Sequence, residues 1–221
     1  MAYLWTLTRP TYLWTHYIDH PLAVVTAWTC RRIGIGARTL TVLAVIPAVL
    51  GGLALHYLDR PLNLIFFLIG LQLCYIADCA DGTLARATRA ASVPGAYLDR
   101  LIDYLTLAIV GIAYTAYVHE QFPGHTEIYW SSIAFFITRA LSYSVQFLKP
   151  ETAGPMGPLS RSFFSRFFGE LTDTGLWWFL LPLLAWWQPF WIPILLGALL
   201  NFAVYLKGMA GAYLANVPPR V

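Results

Sequence analysis

The stretch DCADGTLARATRAASVPGAYLDRLID, residues 78–103, decides the fold of this chain. It carries four aspartates, Asp78, Asp81, Asp99 and Asp103, and two glycines, Gly82 and Gly95. Apolar runs flank it on both sides, NLIFFLIGLQLCYIA before and LTLAIVGIAYTAYV after. Runs of this kind read as membrane helices, and carboxylates at their ends are costly enough to need a reason. Ser92, Pro94 and Gly95 predict a break between the two helices.

The rest of the chain has the same apolar character. Its 221 residues are 58% hydrophobic and 11% charged, with a mean hydropathy of +0.61. A soluble domain carries about 25% charged residues. The composition therefore predicts an all-α integral membrane protein, with six transmembrane helices and an N-terminal interfacial amphipathic helix. Nine tryptophans suit belts at the two bilayer interfaces. The formal charge of +3 comes without the basic clustering of a nucleic-acid binder, so nucleic acid is excluded as a partner. Cys30, Cys74 and Cys79 have neither metal-ligand nor disulfide spacing and read as small packing residues.

Residues 1–20 are aromatic and interfacial, without the basic start, apolar run and cleavage site of a signal peptide. Residues 21–32, PLAVVTAWTCRR, form a short amphipathic segment suited to the membrane surface. Spans are expected at about 39–57, 62–78, 96–118, 128–148, 166–187 and 191–214. The second helix is expected to continue beyond the bilayer through Arg86 and Arg89. The 16 residues from Asn63 to Asp78 rise roughly 24 Å, which brings Asp78 to an interface. The Pro/Gly-rich stretch 149–165 reads as a loop. The whole is one membrane domain over 1–221, made of an interfacial segment 1–36, a six-span bundle 37–214 and a tail 215–221.

Arg9, Arg31, Arg32, Arg38, Arg86, Arg89, Arg100, Lys149, Arg161, Arg166, Lys207 and Arg220 fall on the side of the N-terminus. Arg60 falls on the other side, and Arg139 is inside a span. This asymmetry predicts both termini and the aspartates on the cytoplasmic side.

Positions three and four apart share a helix face. Asp78 with Asp81, and Asp99 with Asp103, can therefore converge from two antiparallel neighbouring helices. Four carboxylates without Cys or His make a hard-oxygen set that suits Mg²⁺, Mn²⁺ or Ca²⁺. Two such cations can neutralise a diphosphate during in-line displacement. Gly82 and Ala85 lie at about 40° and −20° from Asp78 around the helix and leave room for a ligand. Arg86, on the adjoining face, can reach a phosphate. Gly95 would allow a tight turn before the third span.

These residues match Asp-x₂-Asp-Gly-x₂-Ala-Arg-x₈-Gly-x₃-Asp-x₃-Asp, and the stretch resembles the signature of the CDP-alcohol phosphotransferase family. The resemblance implies that Asp78, Asp81, Asp99 and Asp103 bind two divalent cations, Mg²⁺ or Mn²⁺. It implies Asp103 as the base for the acceptor hydroxyl. Nucleotide and diphosphate contacts would come from Asp78, Gly82, Ala85 and Arg86. The implied substrates are CDP-diacylglycerol, or another CDP-alcohol, and a small polar alcohol, with release of CMP. A homodimer in the lipid bilayer is also implied. One departure concerns the Pro-Asn-x-x-Thr with which many members begin their first span. Here it reads Ala37-Arg38-Thr39-Leu40-Thr41, so only Thr41 matches as a nucleotide contact.

Arg139 is expected to face the bundle interior, either toward an acceptor phosphate or in a pair with Glu170 or Asp173. With Arg161, Arg166 and Lys207 it suggests a phosphorylated acceptor such as glycerol phosphate or inositol phosphate. Two rivals stand beside this reading. One is a choline- or ethanolamine-type head-group transferase acting on diacylglycerol. The other is a carboxylate-based ion or proton transporter, which predicts carboxylates at the bilayer midplane.

Overall fold

The computed structural model describes residues 2–7, 12–144, 171–186 and 191–215, and every regular element among them is helical. The chain opens with α1 (Ala2–Thr6) and a single wide turn, Thr15–Asp19. It continues as α2 (His20–Ile33), α3 (Ala37–Leu43), α4 (Val45–Tyr57) and α5 (Leu62–Ala87). Then come α6 (Val93–Gln121), α7 (Thr126–Ser144), α8 (Thr174–Leu184) and α9 (Trp191–Ala215).

Among the described residues, four segments are long and apolar enough to cross a membrane: Ala37–Tyr57, Leu62–Ala87, Val93–Gln121 and Trp191–Gly211. The first combines α3 and α4, which meet at Ala44. Pro47 explains the discontinuity, because it has no N–H and its ring crowds the carbonyl of Leu43, four residues back. Of the helices in the two other expected spans, α7 is more polar and α8, with 11 residues, is shorter. The outward surface is apolar, as at Leu50 (60% exposed), Ile112 (73%) and Leu199 (57%). Water would not tolerate so continuous a patch, whereas lipid does.

Two boundaries differ from the sequence expectation. The helix α5 stops at Ala87 and does not reach Arg89. Arg89 adopts φ 55°, Ala90 N donates to Ala85 O at 2.9 Å, and Arg89 N donates to Arg86 O at 3.3 Å. This is a Schellman closure with Arg where Gly is usual, a position that propensity does not flag. The next helix starts at Val93 and not near 96, because Ser92 caps it by accepting from Gly95 N at 3.2 Å. Pro94 and Gly95 thus lie in its first turn, where proline's missing N–H costs nothing, and Gly95 makes no turn of its own. In the fifth expected span the described helix runs from Thr174 with Asp173 as its cap, and residues 166–170 lie outside the described residues.

Two cores hold the bundle. The larger joins α5, α6, α7, α8 and α9 through Phe67, Tyr114, Phe135, Trp177 and Ile194. The smaller is made of small side chains, Ala23, Ala27 and Cys30 of α2 against Ala77 and Ala80 of α5. Small residues let helix backbones approach closely. The sharpest such contact is between α4 and α5. A Cβ on Gly70 would fall within the van der Waals envelope of the Pro47 carbonyl oxygen and 3.0 Å from Gly51 Cα. Both neighbours are backbone and cannot rotate away. Gly70→Ala should therefore destabilise the protein by about 2 kcal/mol, measured as a lower melting temperature in detergent. An unchanged melting temperature would mean that the two helices separate at no cost.

Candidate active site

Helix lengths alone place the aspartates opposite one another. Asp81 lies six residues before the end of α5 at Ala87, and Asp99 lies six residues after the start of α6 at Val93. Asp78 and Asp103 lie nine and ten residues from the same ends. Because the helices run antiparallel, Asp81 comes level with Asp99, and Asp78 with Asp103. One carboxylate oxygen from each of Asp78, Asp81 and Asp99 lies within 4.8 Å of the others. The Asp103 side chain is within hydrogen-bond reach of Asp78.

The expectation of two directly packed neighbours needs correction. The backbones of α5 and α6 barely touch, and each packs on α4 instead. Long side chains bridge the space, as where Phe67 and Tyr114 stack at 6.2 Å. The wedge of α3 and α4 holds the aspartate-bearing ends apart and leaves a cleft between the carboxylates.

The cleft suits a hard divalent cation. Its donors are all carboxylate oxygens, the set that Mg²⁺ and Mn²⁺ prefer. Asp81 is 4% exposed, and its Oδ2 is buried with no hydrogen-bond partner. An orphaned acceptor of this kind is unfavourable unless something fills its vacant lone pairs.

The supporting residues lie where the motif suggests, with one difference. Thr41 is buried on α3, close enough to Asp81 for a hydrogen bond. Ala85 follows Gly82 on α5. The bare face of Gly82 is covered by Arg86, whose Nη1 lies 3.2 Å from the position of a Cβ. The Arg86 guanidinium is held there by Nε donating to Leu7 O at 2.8 Å and Nη2 donating to Thr83 Oγ1 at 3.4 Å. The Leu7 contact closes over 79 residues and leaves no trace in the sequence. Arg38 donates to Ser92 Oγ at 3.3 Å, tying α3 to the start of α6.

Arg139 faces the interior as expected, but its partners are different. Nη1 donates to Thr172 O at 2.6 Å and to Asn201 Oδ1 at 3.0 Å, Nη2 donates to Thr174 Oγ1, and the guanidinium lies 5.2 Å from the centre of the Tyr143 ring. It therefore ties α7 to α9 and to the start of α8. Lys207 is exposed on α9. Arg161, Arg166 and Glu170 lie outside the described residues.

A family model described as CDP-alcohol phosphatidyltransferase matches residues 34–208. No curated protein matches the chain.

Proposed function

The chain belongs to the CDP-alcohol phosphatidyltransferase family, and we propose that it transfers a phosphatidyl group from CDP-diacylglycerol to the hydroxyl of a small polar alcohol, releasing CMP. The observation that carries this reading is the cleft where Asp78, Asp81 and Asp99 converge, with Asp103 beside Asp78 and Asp81 Oδ2 left unpaired.

In this reading Asp78, Asp81 and Asp99 hold two divalent cations, Mg²⁺ or Mn²⁺, whose chemistry is to neutralise the diphosphate and the departing nucleotide. Asp103 accepts the proton of the acceptor hydroxyl as its oxygen bonds to the phosphorus carrying the diacylglycerol. The bond from that phosphorus to the bridging oxygen breaks, and CMP leaves with the electron pair. Arg86, placed over Gly82, turns its guanidinium to the nucleotide phosphates. Thr41 steadies Asp81. Basic residues at this end, Arg31, Arg32, Arg38, Arg86 and Arg100, support a cytoplasmic site. Arg161, Arg166 and Lys207 remain the side chains that would read a phosphate on the acceptor, whereas Arg139 is engaged with Thr172, Asn201 and Thr174. Six crossings follow if α7 and α8 supply the two that composition leaves open.

Purified protein given CDP-diacylglycerol, Mg²⁺ or Mn²⁺ and a panel of acceptors, including glycerol phosphate and inositol phosphate, should release CMP with one acceptor. Release only from CDP-choline or CDP-ethanolamine with diacylglycerol would reverse the donor assignment. No release from any pair would overturn the proposal.

A further inference from the structure

Arg86 belongs to the signature, yet part of what holds its guanidinium lies outside the family-matched residues 34–208. Arg86 is the last residue but one of α5, which ends at Ala87. Helix ends fray, and a side chain of this length has many rotamers to lose. Side chains on a helix lean toward its N-terminus. Arg86 accordingly reaches back over Gly82, where Nη1, Nη2 and Cζ lie 3.2, 3.6 and 3.7 Å from the place of a Cβ. Nη2 also donates to Thr83 Oγ1, at a long 3.4 Å.

The shorter bond is the remote one. Nε donates to Leu7 O at 2.8 Å, the length of a good charge-assisted hydrogen bond. A partner at Nε fixes the rotation of the planar fork about its stem, which a contact at one tip does not. Leu7 is itself docked. Its N–H donates to Leu4 O at 3.1 Å, and Leu4 is 2% exposed. Trp5 lies against His16 with ring centroids 5.9 Å apart, and α1 packs on α2 and α5.

We infer that α1 is a positioning element of the nucleotide site, in which Leu7 O, anchored through Leu4, orients the Arg86 guanidinium toward the nucleotide phosphates. The inference rests on the transferase reading above, which puts the nucleotide at Gly82. The Leu7 carbonyl is neutral, so it orients the fork without cancelling its charge. A fork already held across Gly82 loses less freedom when a phosphate binds. The segment acts through Arg86 and touches no reacting atom.

The test uses the full-length protein in detergent with CDP-diacylglycerol, Mg²⁺ or Mn²⁺ and its acceptor. Leu4→Asp puts a charge where α1 is anchored and should release Leu7 from Arg86. KM for CDP-diacylglycerol should rise by a factor of about 3–10, the cost of ordering one long side chain, with kcat unchanged. Leu4→Met keeps the anchor and should behave like the parent. Arg86→Lys has no donor at the ε position and should raise KM by itself, and adding Leu4→Asp to it should change KM no further. An unchanged or lowered KM in Leu4→Asp would overturn the inference. So would an equal rise in the Arg86→Lys background, because α1 would then act other than through Arg86. If Leu4→Asp does not fold, Leu4→Ala thins the anchor and carries the same comparison with a smaller rise, and no rise there overturns the inference as well. Absence of CMP release from the parent counts against the transferase reading instead. The same variants are then compared by binding of radioactive CDP-diacylglycerol, where an unchanged Kd overturns the role of α1.

Discussion

Asp103→Asn should reduce CMP release by a factor of about 10²–10⁴, the usual contribution of a general base, while leaving the protein folded. Asparagine keeps the size of the side chain and can still donate to Asp78, within whose hydrogen-bond reach Asp103 lies. It cannot accept a proton from an alcohol. The substitution also removes one of several converging negative charges, so the melting temperature without metal should stay level or rise. Because Asp103 adjoins the cation-binding carboxylates, a plain loss of activity would not separate a base from a ligand. The separating measurement is CMP release against Mg²⁺ or Mn²⁺ concentration. A missing base leaves the rate low at saturating metal. Recovery of the rate at high metal would make Asp103 a ligand only, and a rate equal to wild type would overturn both roles. Asp99→Asn, at the other end of the cluster, should show the opposite pattern, with a higher metal requirement.

Arg139→Leu should unfold the bundle more readily. Arg139 is 4% exposed and uses three of its N–H groups on Thr172 O, Asn201 Oδ1 and Thr174 Oγ1. Leucine would fill part of the volume and take the guanidinium away from the buried Asn201 Oδ1 and from the start of α8, where Thr174 Oγ1 keeps Tyr143 OH at 2.9 Å. Each unsatisfied buried group costs about 1–3 kcal/mol. With partial relaxation, a total of about 3 kcal/mol is expected, or a melting temperature lower by roughly 6–12 °C for a chain of this size. Arg139→Lys should recover only part of this, since a single ammonium cannot span three acceptors arranged for a planar fork. Acceptor recognition gives a different signature. If Arg139 mainly holds a substrate phosphate, the leucine variant will melt like wild type and show a much higher acceptor KM. The contacts with α9 and the start of α8 favour the first outcome.

The aspartate site was legible because its information is local. A spacing of three on one helix and four on the next, with a short break between, brings Asp81 level with Asp99 and Asp78 level with Asp103. The rise of 1.5 Å per residue does the work. The same local logic marked the apolar helices. It failed where a distant partner or a cap intervened. Arg89 ends α5 in a left-handed conformation that Gly normally supplies, and Ser92 pulls the start of α6 back to Val93. Arg139 matched the rule that a buried cation needs partners, but Thr172 and Asn201 are 33 and 62 residues away, so no local pattern named them.

The sequence by itself determined the solvent in which this chain folds, its helical class and the level at which its carboxylates meet. These follow from hydropathy and helical period, which act over a few turns. Only the tertiary structure decided that α4 stands between the two aspartate helices, opening the cleft in which their carboxylates face one another. It alone brought Leu7 to Arg86, and Asp19 to Asp173. Those contacts depend on how backbones approach at Gly70 and along the small side chains of α2 and α5. Packing of that kind is a property of many residues together, and no stretch of the chain records it alone.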